Sequence, residues 1–121
     1  MHICVTMTEK DGVELVDPRF GRCEQFGFVD TESGALEREP NALTMGAGGV
    51  GAKVGQLLAD RGVQAVITGQ VGPNAFRVLS AAGIDVYTVN GGTVEEAITA
   101  FKEGRLTPVS APTGPARHAG H

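Results

Sequence analysis

The second half of this chain alternates short apolar, β-prone runs with amphipathic helical stretches, and glycine-containing turns join one to the other. Gly46-Ala47-Gly48-Gly49-Val50-Gly51 leads into a helix with Lys53 in its first turn. Gly69-Gln70-Val71-Gly72 and Asn90-Gly91-Gly92 each connect an apolar run to a helix. Strands separated by single helices are most simply parallel and linked by right-handed crossovers. Such turns also place bare backbone N–H groups, backed by helix dipoles, along one edge of a sheet. Three of them in a short chain point to an edge that binds something anionic.

The remaining elements follow from periodicity and turn signals. Residues 2–7 read as a first strand, and 9–24 as a polar segment with turns at Asp11-Gly12 and Asp17-Pro18. Residues 25–30 and 35–39 flank Glu32-Ser33-Gly34 as a hairpin, the second strand polar enough to be an edge. Residues 41–49 read as loop. Helix one covers about 50–60, with Val50, Val54, Leu57 and Leu58 on one face and Gly62 closing it. A buried strand at 64–68 precedes helix two, which opens at Pro73 and carries Ala75, Val78, Leu79 and Ala82 in its stripe. After a strand at 84–89, Thr93 and Glu96 stand in capping-box spacing before Val94, Ala97, Ile98 and Phe101. Residues 1–107 thus form one domain. Residues 108–121, with Pro108, Pro112 and Pro115 among small residues, read as a flexible tail. The order β-β-β-α-β-α-β-α predicts an α/β fold: a five-stranded mixed sheet in the order 3-2-1-4-5 with three helices.

That topology brings strand ends near Thr8, Gly69 and Asn90 to one rim, together with Phe20–Cys23 and the Gly46–Gly51 loop. Ligands of open α/β sheets sit outside the carboxyl ends of the strands. The bulk properties narrow the ligand. With 121 residues and a formal charge of -4 the chain is no general nucleic-acid binder, and no Trp and one Tyr leave little for base stacking. It has no apolar run long enough for a membrane span and no signal-peptide layout, so the expected location is the cytoplasm, with Cys4 and Cys23 as thiols.

The motifs are less specific than their letters. Gly46, Gly48 and Gly51 fit the dinucleotide pattern, but no convincing strand precedes them and no acid ends the next strand. A Walker loop fails because Ala52 stands where its lysine must be. A loop entering a helix accounts for the glycines equally well. Gly72-Pro73-Asn74 can simply open helix two. Cys23, with Arg19 and Arg22 close in sequence, is the most reactive-looking residue, although one cysteine is a weak metal signal. His118 and His121 are three apart in the tail. Neither paired carboxylates on adjacent strands nor a Ser-His-Asp arrangement can be read, so no catalytic residues are assigned.

Taken together, several of these segments resemble a family. Asp17-Pro18-Arg19-Phe20-Gly21-Arg22-Cys23, Phe28-Val29-Asp30, Gly46-Ala47-Gly48 with Gln56-Leu57-Leu58-Ala59-Asp60, Gly72-Pro73-Asn74-Ala75-Phe76 and Gly91-Gly92-Thr93-Val94-Glu95-Glu96-Ala97 are similar, in order, to the dinitrogenase iron–molybdenum cofactor biosynthesis family, the NifX-like domain. The resemblance spans about residues 1–107. It implies a ribonuclease H-like fold and a non-catalytic carrier or scaffold that transiently binds an iron–sulfur or molybdenum–iron–sulfur cluster, exchanging it with donor and acceptor proteins. Such clusters are anionic, which suits backbone N–H groups at a rim. The expected cofactor-binding residues are Phe20, Gly21, Arg22 and Cys23, then Gly46, Gly48, Gly49 and Lys53, then Gly69, Gly72 and Asn74. Cys23 is the expected metal ligand. Arg19 is a departure, since many members place His directly before Phe-Gly-Arg. The alternative reading is a protein-interaction or anionic-metabolite-binding module without metal.

Overall fold

The computed structural model describes residues 1–45 and 50–113. Its strands are β1 (His2–Lys10), β2 (Val13–Val16), β3 (Gln25–Asp30), β4 (Leu36–Pro40), β5 (Ala65–Thr68) and β6 (Asp85–Thr88). Its helices are α1 (Val50–Asp60), α2 (Pro73–Ala81) and α3 (Val94–Lys102), with a 3-10 turn at Ala42–Met45. The mixed sheet runs β4-β3-β1-β5-β6, and β2 pairs with β1 off that path. β1 is parallel to β5, as β5 is to β6, while β3 and β4 continue antiparallel on the other side.

The sheet therefore has six strands where five were expected, and its order is not written 3-2-1-4-5. The extra strand comes from Asp11-Gly12, which is a two-residue hairpin turn rather than a break in a loop. Both residues take positive φ, 54° and 81°, the geometry that matches the twist of a tight hairpin. Val13 is thereby paired with Lys10 and Val16 with Met7, and β1 extends past residue 7. The five strands that were foreseen keep the neighbours predicted for them.

Strand alternation divides the core between the two faces of the sheet. Cys4, Val66 and Val86 face one way and pack with Val54 and Leu58 of α1 and Ala75 and Leu79 of α2. Ile3, Val5, Met7, Ala65 and Ile67 face the other way and meet Val94 and Ala97 of α3. The capping box foreseen at α3 is present: Thr93 Oγ1 accepts from Glu96 N, and Thr93 N donates to Glu96 Oε1.

Beyond α3 the chain returns along β6. Pro108 bridges Tyr87, and Val109 N donates to Val86 O at 2.8 Å. Thr113 N donates to Val71 O at 3.0 Å, and Val71 N donates to Thr113 Oγ1 at 3.1 Å. Residues 108–113, read from sequence as the start of a tail, thus satisfy backbone groups that the edge strand β6 and the turn after β5 would leave open. Residues 114–121, with His118 and His121, lie outside the described residues.

Candidate functional site

After β2 the chain crosses the carboxyl ends of the central strands. Asp17 N donates to Thr6 O at 2.8 Å, which ties the crossing to β1. Gln70 N then donates to Pro18 O at 2.8 Å, and Phe20 N to Gln70 O at 3.3 Å, so the segment lies along the turn after β5. This approach needs glycine. A Cβ built on Gly69 would stand 2.4 Å from Pro18 Cα and 2.8 Å from its carbonyl oxygen. One on Gly21 would meet Gly51 Cα and N at 3.0 Å, and one on Gly51 would meet Ala75 Cβ at 3.1 Å. Backbone from the Phe20–Cys23 loop, the start of α1 and the start of α2 therefore meets at one mouth, as the topology predicts.

The crossing is anchored by Asp17, whose side chain is fully buried. Arg19 N and Nε donate to its Oδ1 at 3.0 Å each, and Arg19 Nη2 to Oδ2 at 3.0 Å. Glu24 N donates to Oδ2 at 3.3 Å. Thr6 Oγ1 lies 2.8 Å from both Asp17 O and Thr68 Oγ1. A hydroxyl donates once, so Thr6 donates to the carbonyl and accepts from Thr68. Asn41 secures the far end of the loop: its Nδ2 donates to Cys23 O at 3.0 Å and to Gly21 O at 3.3 Å, while Leu43 N donates to its Oδ1. Sequence reasoning missed both residues as anchors. Asp17 did carry a signal, because an aspartate two residues before an N–H donor is an Asx-turn pattern.

Cys23 does not present a ligand to the rim. Its side chain is buried in the α1–α2 core together with Cys4. Burial pushes the thiol from 9.0 up to about 12, and the Asp17 carboxylate pushes the same way, against smaller opposing bonds that include Asn41. The expectation of a reactive thiolate rested on Arg19 and Arg22. Arg19, however, is taken up by Asp17, and Arg22 is solvent-exposed while the thiol is buried. The ring of Phe20 is likewise core rather than pocket lining. Among the described residues no group of three or more His, Cys, Asp or Glu could hold a metal ion.

What the mouth does offer is N–H groups and positive charge. Arg22 and Lys53 are both exposed, and neither forms an ion pair among the described residues. The N-cap of α2 is Gly72, with Pro73 next and no side-chain cap, so its first-turn N–H groups stay unclaimed by side chains. Between residues 50 and 84 the single acidic residue is Asp60, at the opposite end of α1. Asn74 departs from its expected role, because its Oδ1 accepts from Arg77 Nη2 at 2.8 Å within the helix surface. The third glycine turn is used structurally: Gly92 O accepts from Val16 N at 3.0 Å and holds β2. Gly46, Gly48 and Gly49 lie outside the described residues. Elsewhere, a groove of about 730 Å³ lies between α3 and the β2 and β4 strands, with Val13, Leu36 and Ile98 among Glu9, Arg38 and Glu95.

Comparison with known proteins adds the following. The family model described as dinitrogenase iron-molybdenum cofactor matches residues 1–104. An uncharacterized protein of Methanocaldococcus jannaschii is 39% identical over 94 residues, which cover 75% of this chain and 80% of that protein. The apo form of the orange protein from Desulfovibrio gigas superposes with a TM-score of 0.86 at 38% identity, covering 93% of this chain and 96% of that one. A Thermotoga protein provisionally called NifB superposes with a TM-score of 0.78 at 44% identity, covering 93% of this chain and 97% of that one.

Proposed function

The chain belongs to the dinitrogenase iron–molybdenum cofactor family, and from that membership we propose that it is a non-catalytic carrier or scaffold. Its cargo is an iron–sulfur or molybdenum–iron–sulfur cluster, or a precursor of one, bound transiently and passed between donor and acceptor proteins of cofactor assembly in the cytoplasm. The observation that carries the reading is the meeting of Gly21 with Gly51 beside the exposed cations Arg22 and Lys53, neither of which forms an ion pair among the described residues. Antiparallel strands followed by a parallel pair also support describing the fold as ribonuclease H-like.

The chemistry fits an anionic cargo that brings its own sulfide ligands. With the Cys23 thiol buried and held protonated, the described residues contribute backbone N–H groups, Arg22 and Lys53 rather than a soft ligand. Gly21, Gly51 and Gly69 let the loops pack on one another, and Gly72, with open space where a Cβ would stand, lets the cluster come close to backbone. Such outer contacts hold charge without forming a metal bond, so release requires no ligand exchange. Gly46, Gly48 and Gly49 belong to the same loop in sequence and remain part of the proposed site.

Anaerobic reconstitution with iron, sulfide and molybdate, followed by metal analysis and visible absorption, tests the reading. The wild-type chain retains a coloured, metal-bearing species. Arg22→Gln and Lys53→Gln each weaken retention by roughly tenfold, the size of one lost charge-assisted contact. A wild-type protein that keeps no metal overturns the proposal. If a nucleotide or phosphorylated metabolite raises the melting temperature instead, the metal-free binding module takes its place. A micromolar ligand at millimolar concentration would then add about 4 kcal/mol.

A further inference from the structure

We propose that Asp17 and Arg19 set the charge of the mouth as a pair: Asp17 pins the crossing loop, and Arg19 cancels the carboxylate so that it does not repel an anionic cargo. This rests on the carrier reading and assigns it a specificity-determining pair that makes no contact with cargo.

Asp17 is an unusual residue to find beneath an anion site. Its side chain is fully buried, and burying a carboxylate is tolerated only when donors surround it. Its two oxygens receive four N–H groups, two from the Arg19 guanidinium and one each from the backbone of Arg19 and Glu24. The carboxylate therefore sits at the base of the loop that carries Gly21 and Arg22, between β1 and the Gly69-Gln70 turn. Arg19 reaches it from the solvent side, its own side chain 59% exposed. Together the two contribute no net charge. Arg22 and Lys53 then set the positive potential at the mouth against the one exposed carboxylate of the same loop, Glu24, which also accepts from Thr8. Without Arg19 the backbone donors still hold the carboxylate, but its charge reaches the mouth uncompensated.

The experiment compares wild type, Arg19→Gln, Asp17→Asn and the double variant, each reconstituted anaerobically with iron, sulfide and molybdate. Metal retention is measured at low and high salt, with a thermal melt of each protein. Both single substitutions break the same two-pronged ion pair, so a purely structural clamp predicts matching losses. Charge cancellation predicts opposite salt responses. Arg19→Gln retains the cluster about tenfold less well at low salt and recovers as salt rises. Asp17→Asn, which loosens the loop but adds a net positive charge, retains it less well as salt rises. The double variant, with both charges removed, keeps the wild-type salt dependence. Matching salt responses from the two single variants, or a wild-type result for Arg19→Gln, overturn the proposal. If Arg19→Gln does not fold, Asp17→Asn must still lose retention more steeply with salt than the double variant, and equal slopes for those two overturn it. A wild-type protein that retains no cluster removes the carrier reading, and the pair's role falls with it.

Discussion

The mouth and the groove are built from different parts of the chain. The groove beside α3 is walled by side chains, several of them long and charged, such as Glu9, Arg38 and Lys102. Its tight-turn glycines, Gly12 and Gly34, have open space where a Cβ would go. The mouth is walled largely by backbone: Gly69 lies nearer to Pro18 than a Cβ tolerates, since one would stand at 2.4 Å, and Cβ atoms on Gly21 and Gly51 would meet Gly51 and Ala75 at a tight 3.0 and 3.1 Å. Side-chain walls adjust to what they meet. Backbone walls keep one shape and present N–H groups whose direction is fixed by the fold. For a compact anion with no directional side-chain partner, the second kind of surface is the selective one, whatever the volume of the first.

The sharpest way to break this contrast is to put one methyl group in each place. Gly69→Ala drives a Cβ into the Pro18 backbone, which cannot move without losing the Gln70 N to Pro18 O bond. It should cost about 3 kcal/mol, roughly 10 °C in melting temperature, and abolish cluster retention. Gly12→Ala meets no atom and pays only for its φ of 81°, about 1 kcal/mol. Retention should be unchanged there. Calorimetric melts of the two variants against wild type read the difference, and similar losses would erase the distinction between the regions.

A second contrast lies in titration. Beneath the mouth, burial raises both cysteine thiols, Cys23 to about 12 and Cys4 well above its ordinary 9.0. The unfolded chain ionises its thiols first as pH rises, so the folded state is favoured fully below pH 9 and loses that advantage between pH 9 and about 12. Denaturant titrations across that range should show stability falling, and Cys23→Ser and Cys4→Ser should flatten the slope. At neutral pH an alkylating reagent should leave both thiols unlabelled until denaturant is added. Rapid labelling of native Cys23 would instead return it to the rim as a candidate ligand.

How much of this could be read from the sequence depends on how local each cause is. The strand–turn–helix order is written in periodicity and in Thr93, Glu96, Pro73 and the turn glycines, so the neighbours of β1, β3, β4, β5 and β6 were legible. The approach of Gly21 to Gly51, and of Pro18 to Gly69, lies on the rim that topology alone predicts. β2 escaped because Val13-Glu14-Leu15-Val16 is too short and mixed to show alternation, even though Asp11-Gly12 is a strong hairpin signal. Cys23 misled because its field depends on which neighbour engages which. Arg19, four residues before it in sequence, is taken up by Asp17, a local pairing that the Asx-turn spacing signals but that the charges alone do not. Asn41 was illegible because its partners are Gly21 and Cys23, and it is the tertiary fold that brings them to it.

The smallest effect belongs to the groove's own ion pair. Arg38 Nη2 donates to Glu14 Oε1 at 2.8 Å, and this bond is the main reason Glu14 titrates below its ordinary 4.5. Both side chains are substantially exposed, 49% and 31%, and exposed pairs lose in side-chain entropy and solvent screening most of what they gain by attraction. A depressed carboxylate stabilises the fold above its unfolded pKa and loses that contribution as pH falls through the folded value. Glu14→Gln should therefore lie within the scatter of a thermal melt at pH 7 and merge with wild type in acid, while cluster retention stays unchanged. A large loss of retention from Glu14→Gln would show that the groove, for all its adjustable walls, takes part in binding. The division between a backbone-built site and a side-chain-built surface would then have to be given up.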